Sequence, residues 1–151
     1  MPLKVSEQGP DFTLPSTSGN DFTLSSILGE SCILYFFPMD FTPGCTKEAC
    51  EFRDQFAYFK DLEINIFGIS TDTISAHEKF RNKHQLPFHL LSDRKGNVAR
   101  KYKALIPFVG LTMRVTYLLN REHQIAAVYN NLFNYRQHIR EMVLEVNKMN
   151  R

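Results

Sequence analysis

Three side chains with redox or hydrogen-bonding chemistry fall within one short stretch, PMDFTPGCTKEAC at residues 38–50. Cys45 follows the Pro43-Gly44 break at the start of a predicted helix, Thr42 lies three residues before it, and Cys50 lies five after it. The chemistry this set could perform is that of a reactive thiol with a second thiol nearby. An ordinary cysteine, with a pKa of about 8.5, is only a few per cent thiolate at pH 7, and the thiolate is the nucleophile. Reactivity therefore needs local positive potential. The first turn of a helix supplies it, through unpaired backbone N–H groups and the positive end of the dipole. The Thr42 hydroxyl can donate to a thiolate or orient a bound oxygen. The competing reading makes Cys45 an inert core thiol, since free cysteines are commonly buried.

Cys50 fits a resolving thiol, with a geometric condition attached. Five residues along an ideal helix separate two Cα atoms by roughly 8 to 9 Å, whereas a disulfide needs them within about 7 Å. The two sulfurs can therefore bond only if the first turns of the helix unwind. The alternative is that Cys50 is a small apolar residue on the helix face near Phe52 and Phe56. Cys32 lies in an apolar strand and reads as a small hydrophobe. A zinc site is the weaker reading, because the cysteines lack the usual ligand spacing and His77, His84, His89, His123 and His138 show no paired ligands. The histidines read as solvated or packed side chains.

The elements that must position these residues follow from pattern. Residues 11–14 and 21–24, both DFTL, flank the turn-rich 15–20 and predict a β-hairpin. Residues 32–37 are continuously apolar, as in a strand covered on both faces. A helix is expected over 46–59, with Phe52, Phe56 and Phe59 at helical spacing. A strand at 64–70 precedes 71–73, whose side chains can cap a helix over 75–84. A short strand at 89–92, a turn, and one or two helical turns at 98–103 follow. Strands at 114–119 and 125–129 form an antiparallel hairpin, and Ile139, Met142, Val143 and Val146 mark one face of a closing helix. The result is a single α/β domain, a mixed central sheet flanked by helices. The apolar loop 104–112 reads either as tucked into the core or as an exposed contact patch.

Composition excludes several classes. The 151 residues are 43% hydrophobic, enough for one domain with its own core. Lys and Arg total 18 against 16 Asp and Glu, a net charge of +2, and no basic block predicts nucleic-acid or membrane binding. The N-terminal residues lack the apolar core of a secretion signal, and no apolar run is long enough to span a bilayer. The expectation is a soluble cytoplasmic protein, in which three cysteines are not a disulfide framework.

The spacing of Pro38, Thr42 and Cys45 resembles the active-site signature of the peroxiredoxins. The longer run at 42–50, Thr-Pro-Gly-Cys-Thr-x-Glu-Ala-Cys, resembles that of their Q-type branch, also called bacterioferritin comigratory protein. The likeness extends to Gly9-Pro10-Asp11-Phe12-Thr13-Leu14, Phe67-Gly68-Ile69-Ser70 with Asp72, Leu91-Ser92-Asp93, and Arg114 in Arg-Val-Thr-Tyr-Leu-Leu. It departs at Asn120, where the family often has aspartate, and in the 104–112 loop.

The resemblance implies a thioredoxin-like fold with an N-terminal β-hairpin extension. It implies a thiol peroxidase in which Cys45 attacks a hydroperoxide and becomes a sulfenic acid. Arg114 would stabilise the thiolate and the developing charge, Thr42 and the Cys45 backbone N–H would hold the peroxide, and Pro38 would shield the sulfur from water. Cys50 would resolve the sulfenic acid to an intramolecular disulfide, reduced by thioredoxin or a similar dithiol. No metal, flavin or haem is implied, and the expected assembly is a monomer or weak homodimer. The rivals are a protein disulfide oxidoreductase, which would normally carry Cys-x-x-Cys, and a peroxide-reactive redox sensor.

Overall fold

The computed structural model describes residues 1–131 and 134–149. Its core is the strand foreseen at 32–37, here β3 (Ser31–Phe36), every residue of which is buried. Successive strand side chains point to opposite faces, so β3 supplies both layers. Ile33, Tyr35 and the following Phe37 join one apolar cluster, while Leu34 and Phe36 join the other. Full burial of each such side chain contributes about 1.5–3 kcal/mol.

Around it lie β4 (Ile64–Ser70), β5 (His89–Ser92), β6 (Val115–Leu119) and β7 (Ile125–Asn130). The sheet order is β5-β4-β3-β6-β7. β3, β4 and β5 are parallel, whereas β6 and β7 are antiparallel to their neighbours, giving the expected mixed sheet. On one face pack α1 (Pro43–Asp54), α2 (Phe56–Asp61), α3 (Ile74–His84) and α5 (Tyr135–Met149), through Phe52, Phe59, Phe80 and Met142. On the other pack α4 (Asn97–Lys101) and the N-terminal segment, through Val98, Leu14 and Leu24. The N-terminal hairpin is present but shorter than expected: β1 (Thr13–Pro15) pairs with β2 (Asp21–Thr23), and Leu24–Ile27 turns into a 3-10 helix.

The helix expected over 46–59 differs in two ways. It starts earlier, at Pro43, and breaks at Gln55, whose φ of −97° and ψ of 3° leave the helical region before α2 begins. The break lets both Phe52 and Phe59 reach full burial. The cap of α3 is Thr73, which accepts from the Ala76 N–H at 3.0 Å. Asp72 is used differently, accepting the Asp40 N–H at 2.9 Å and the Ser70 hydroxyl at 2.5 Å. The 104–112 loop divides between its two readings. Ala104 and Thr112 are buried, while Phe108 and Val109 at the tip are exposed. Among the described residues, no helix is long and apolar enough to cross a membrane.

Candidate active site

Parallel strands leave a crevice beyond their carboxyl ends. The chain leaving β3 there forms the loop 38–42 and enters α1. Thr42 precedes a proline, which biases it to extended backbone, and its φ of −77° and ψ of 149° suit the residue before a helix. Pro43 then occupies the first helical position, where its missing N–H leaves no acceptor unpaired. Cys45 thus becomes the third residue of α1, two per cent exposed.

A threonine at this position usually accepts from the second or third helical N–H. Here it does not: the Thr42 hydroxyl donates to the Met39 carbonyl at 2.8 Å and makes no cap. The Cys45 N–H, one of the first-turn donors without an intrahelical acceptor, is therefore left uncapped by Thr42. With its proton committed to Met39, the Thr42 oxygen presents lone pairs as an acceptor.

Arg114 arrives from the residue before β6, 69 positions away in sequence, and its Nη2 donates to Cys45 Sγ at 3.2 Å. The guanidinium reaches the sulfur over Gly44, where an added Cβ would stand 3.2 Å from Nη2. Its Nη1 donates to Glu48 Oε1 at 2.6 Å. One planar fork thus bridges the thiol and a carboxylate, a geometry an ammonium cannot supply. A cleft of about 390 Å³ opens onto Cys45, walled by Pro38, Thr42, Gly44, Lys47, Arg114 and Tyr135. Four of the five predicted site residues, Pro38, Thr42, Cys45 and Arg114, therefore meet at one place.

Cys50, the fifth, lies elsewhere on the same uninterrupted helix and is half-buried. None of the three cysteines is bonded. Cys32 is fully buried, away from the cleft, and burial pushes its thiol far up from the ordinary range.

A model of the AhpC/TSA family matches residues 5–128. The chain belongs to the AhpC/TSA family. It is 39% identical over 136 residues to a protein named putative peroxiredoxin bcp from Coxiella burnetii, covering 85% of this chain and 89% of that one. To peroxiredoxin Q, chloroplastic, of Suaeda salsa it is 44% identical over 142 residues, covering 91% of this chain and 66% of that one. Peroxidoxin BcpB from Mycobacterium tuberculosis superposes with a TM-score of 0.90 at 31% identity, covering 97% of each chain. These likenesses establish the thioredoxin-like peroxiredoxin fold and the Q-type resemblance.

In this AhpC/TSA member two groups around the cleft escaped the sequence reading. Glu48 is completely buried, and burial pushes its carboxyl up to about 7 against the downward pull of Arg114. Its Oε2 has no hydrogen-bond partner among the described residues, which is a second reason for it to favour the proton. His138 on α5 is buried 3.8 Å from that oxygen. The contact is not an ion pair, because burial and then the Arg114 charge push the ring down to about 4 and keep it neutral. Its Nε2–H donates to the Asn131 carbonyl at 2.6 Å and its Nδ1 accepts the Thr116 hydroxyl at 2.8 Å.

The second group ties the loop 38–42 to the sheet. Asp40 Oδ2 stands 2.6 Å from His77 Nδ1, and His77 Nε2 stands 2.9 Å from the Leu91 carbonyl. Asp40, Asp72 and His77 lie close enough to hold a metal ion. Asp40 Oδ2, Asp72 Oδ2 and both His77 nitrogens are held in hydrogen bonds that anchor the loop, and Asp40 Oδ1 has no partner among the described residues. Burial pushes the Asp40 carboxyl up, opposed by the His77 hydrogen bond. In the same loop Phe41 adopts a positive φ of 65°, uncommon for a bulky residue. Its ring packs edge-on against Phe80, 5.1 Å away, with Lys83 Nζ 5.9 Å above it.

Proposed function

We propose that this chain is a thiol-dependent peroxidase that reduces hydrogen peroxide and organic hydroperoxides at Cys45, and that it works as one domain in the cytoplasm. The observation that carries the reading is the Arg114 Nη2 contact to Cys45 Sγ at 3.2 Å, on the floor of a cleft whose wall includes Thr42. A hydroperoxide R–O–O–H has one O–H to donate and two oxygens to accept. The Thr42 oxygen can take its proton as a hydrogen bond, while the Cys45 N–H and Arg114 face its oxygens. Pro38 narrows the approach of water.

The Cys45 thiolate attacks the terminal oxygen, an S–O bond forms, the O–O bond breaks, and the leaving alkoxide or hydroxide takes up a proton. Arg114 stabilises the charge as it passes to the leaving oxygen. Cys50 then attacks the sulfenic sulfur, an S–S bond forms, the S–O bond breaks, and water departs. Both cysteines lie within α1, so this step needs the helix to open between them. A dithiol such as thioredoxin returns both thiols by exchange. Besides peroxide and reductant the reading needs no cofactor, and it takes the protein to be a monomer or weak homodimer.

Thioredoxin-coupled peroxide turnover tests this. The wild type consumes peroxide continuously, Cys45→Ser consumes none, and Cys50→Ser consumes one equivalent and stalls. Sustained turnover by Cys45→Ser would overturn the assignment.

A further inference from the structure

The resolving step asks more of Cys50 than proximity. As a neutral thiol it is a poor nucleophile toward a sulfenic sulfur. Its sulfur stands 4.0 Å from His84 Nδ1, at the last residue of α3 and within reach of a sulfur hydrogen bond. This imidazole is held in place. Arg53, one turn beyond Cys50 on α1, donates to the His84 carbonyl at 2.8 Å, and the ring packs edge-on against Phe80 at 5.1 Å.

We propose that His84 is a catalytic base for the resolving half-reaction, drawing the proton from Cys50 as that residue attacks the Cys45 sulfenic acid. The inference rests on the reading of Cys50 as the resolving thiol.

The step balances without any further reagent. The Cys50 S–H bond breaks and its proton passes to His84 Nδ1. The Cys50 sulfur attacks the Cys45 sulfur, forming S–S as the S–O bond breaks. The departing hydroxide becomes water as His84 returns the proton through solvent. The surroundings suit a base that must not stay charged. Partial burial, Lys83 beside it on α3 and Arg53 facing it from α1 hold the imidazole below its ordinary range. Arg53 is itself paired with Asp54 at 3.2 Å. His84 is thus neutral and able to accept at neutral pH, and it gives up the proton readily. His84 and Cys50 stay in contact while the first turn of α1, which carries Cys45, unwinds and brings the sulfenic sulfur to them.

The test is a single turnover of the full chain with one equivalent of hydrogen peroxide. Samples are acid-quenched over time, and the Cys45 sulfenic acid and the Cys45–Cys50 disulfide are quantified by mass spectrometry. In His84→Asn and His84→Gln the sulfenic acid forms at the wild-type rate, which shows that each variant is folded. Disulfide formation at pH 7 slows by about tenfold or more, the scale of general-base assistance. In the variants the rate then rises with pH, as hydroxide takes over removal of the proton. Added imidazole restores the rate in His84→Ala.

Equal disulfide rates in wild type and both variants from pH 6 to 8 would overturn the proposal. So would a slowing that neither pH nor imidazole changes, since that is the mark of a structural role. If the wild type forms no sulfenic acid, the peroxidase reading fails and takes this one with it. If it forms sulfenic acid but no Cys45–Cys50 link, the resolving role of Cys50 fails and the base has nothing to serve.

Discussion

Replacing Glu48 with glutamine should remove a large part of the protein's loss of stability on raising the pH. Glu48 is fully buried beside Arg114, and its carboxyl is pushed up to about 7, whereas an unfolded glutamate titrates near 4.3. Between those values the folded protein binds more protons at this site than the unfolded chain, so its stability falls as pH rises. The contribution is fully present below the unfolded value and is lost by the time pH passes the folded one. From pH 5 to pH 8 the difference amounts to roughly 2 to 3 kcal/mol for this one group, at about 1.4 kcal/mol per unit. Glutamine keeps an acceptor for Arg114 Nη1 and cannot ionise. Denaturant unfolding of reduced wild type and Glu48→Gln should therefore show the variant gaining on the wild type by that amount between pH 5 and 8. A wild-type-to-variant difference that is constant across this range would show that Glu48 titrates as an ordinary carboxyl. The account of the buried cluster would then be wrong.

Other perturbations bear on the remaining parts of the site. Arg114→Lys keeps a charge but cannot donate at once to Glu48 at 2.6 Å and Cys45 at 3.2 Å. Stopped-flow peroxide kinetics should show the first step slowed at least ~10-fold, and Arg114→Gln slowed ~100-fold or more. Asp40→Ala leaves buried His77 without its carboxylate partner. By leaving the buried ring nitrogen without its hydrogen-bond partner it should lower stability by about 1–3 kcal/mol in denaturant unfolding, and slow the first step by loosening the loop that carries Thr42. Cys32, fully buried with its thiol pushed far up, should resist iodoacetamide in the native protein and be alkylated only on unfolding.

The grouping of the proposed reactive residues is legible in the sequence because most of its parts are local or distinctive. Cys45, Thr42 and Pro38 share one loop and helix start, and the Pro43-Gly44 break announces that start. Arg114 was found through the family resemblance, since nothing in its local pattern distinguishes it from a surface strand residue. Glu48 was readable in principle: three residues after Cys45 it lies on the same helical face, where a carboxylate among buried neighbours needs a cation. His138 carried a similar signal, four residues before Met142 on the apolar stripe of α5.

The pairing of Asp40 with His77 could not be read. It joins residues 37 positions apart through a loop whose course depends on Phe41 at positive φ and on the packing of α3. The break at Gln55 was hidden for another reason. Phe52, Phe56 and Phe59 keep helical spacing across it, and only the curvature needed to bury both Phe52 and Phe59 decides against a continuous helix.

Hydrogen exchange over residues 43–54 shows whether Cys45, once oxidised by peroxide, is captured by Cys50 only when α1 opens. Exchange is compared in the reduced protein and in protein oxidised with one equivalent of peroxide, with the disulfide mapped in the same peptides. A Cys45–Cys50 link should form together with loss of amide protection across the first turns of α1. A link formed with protection in α1 unchanged, or a dominant link to Cys32, would refute the opening of α1 as the route to resolution.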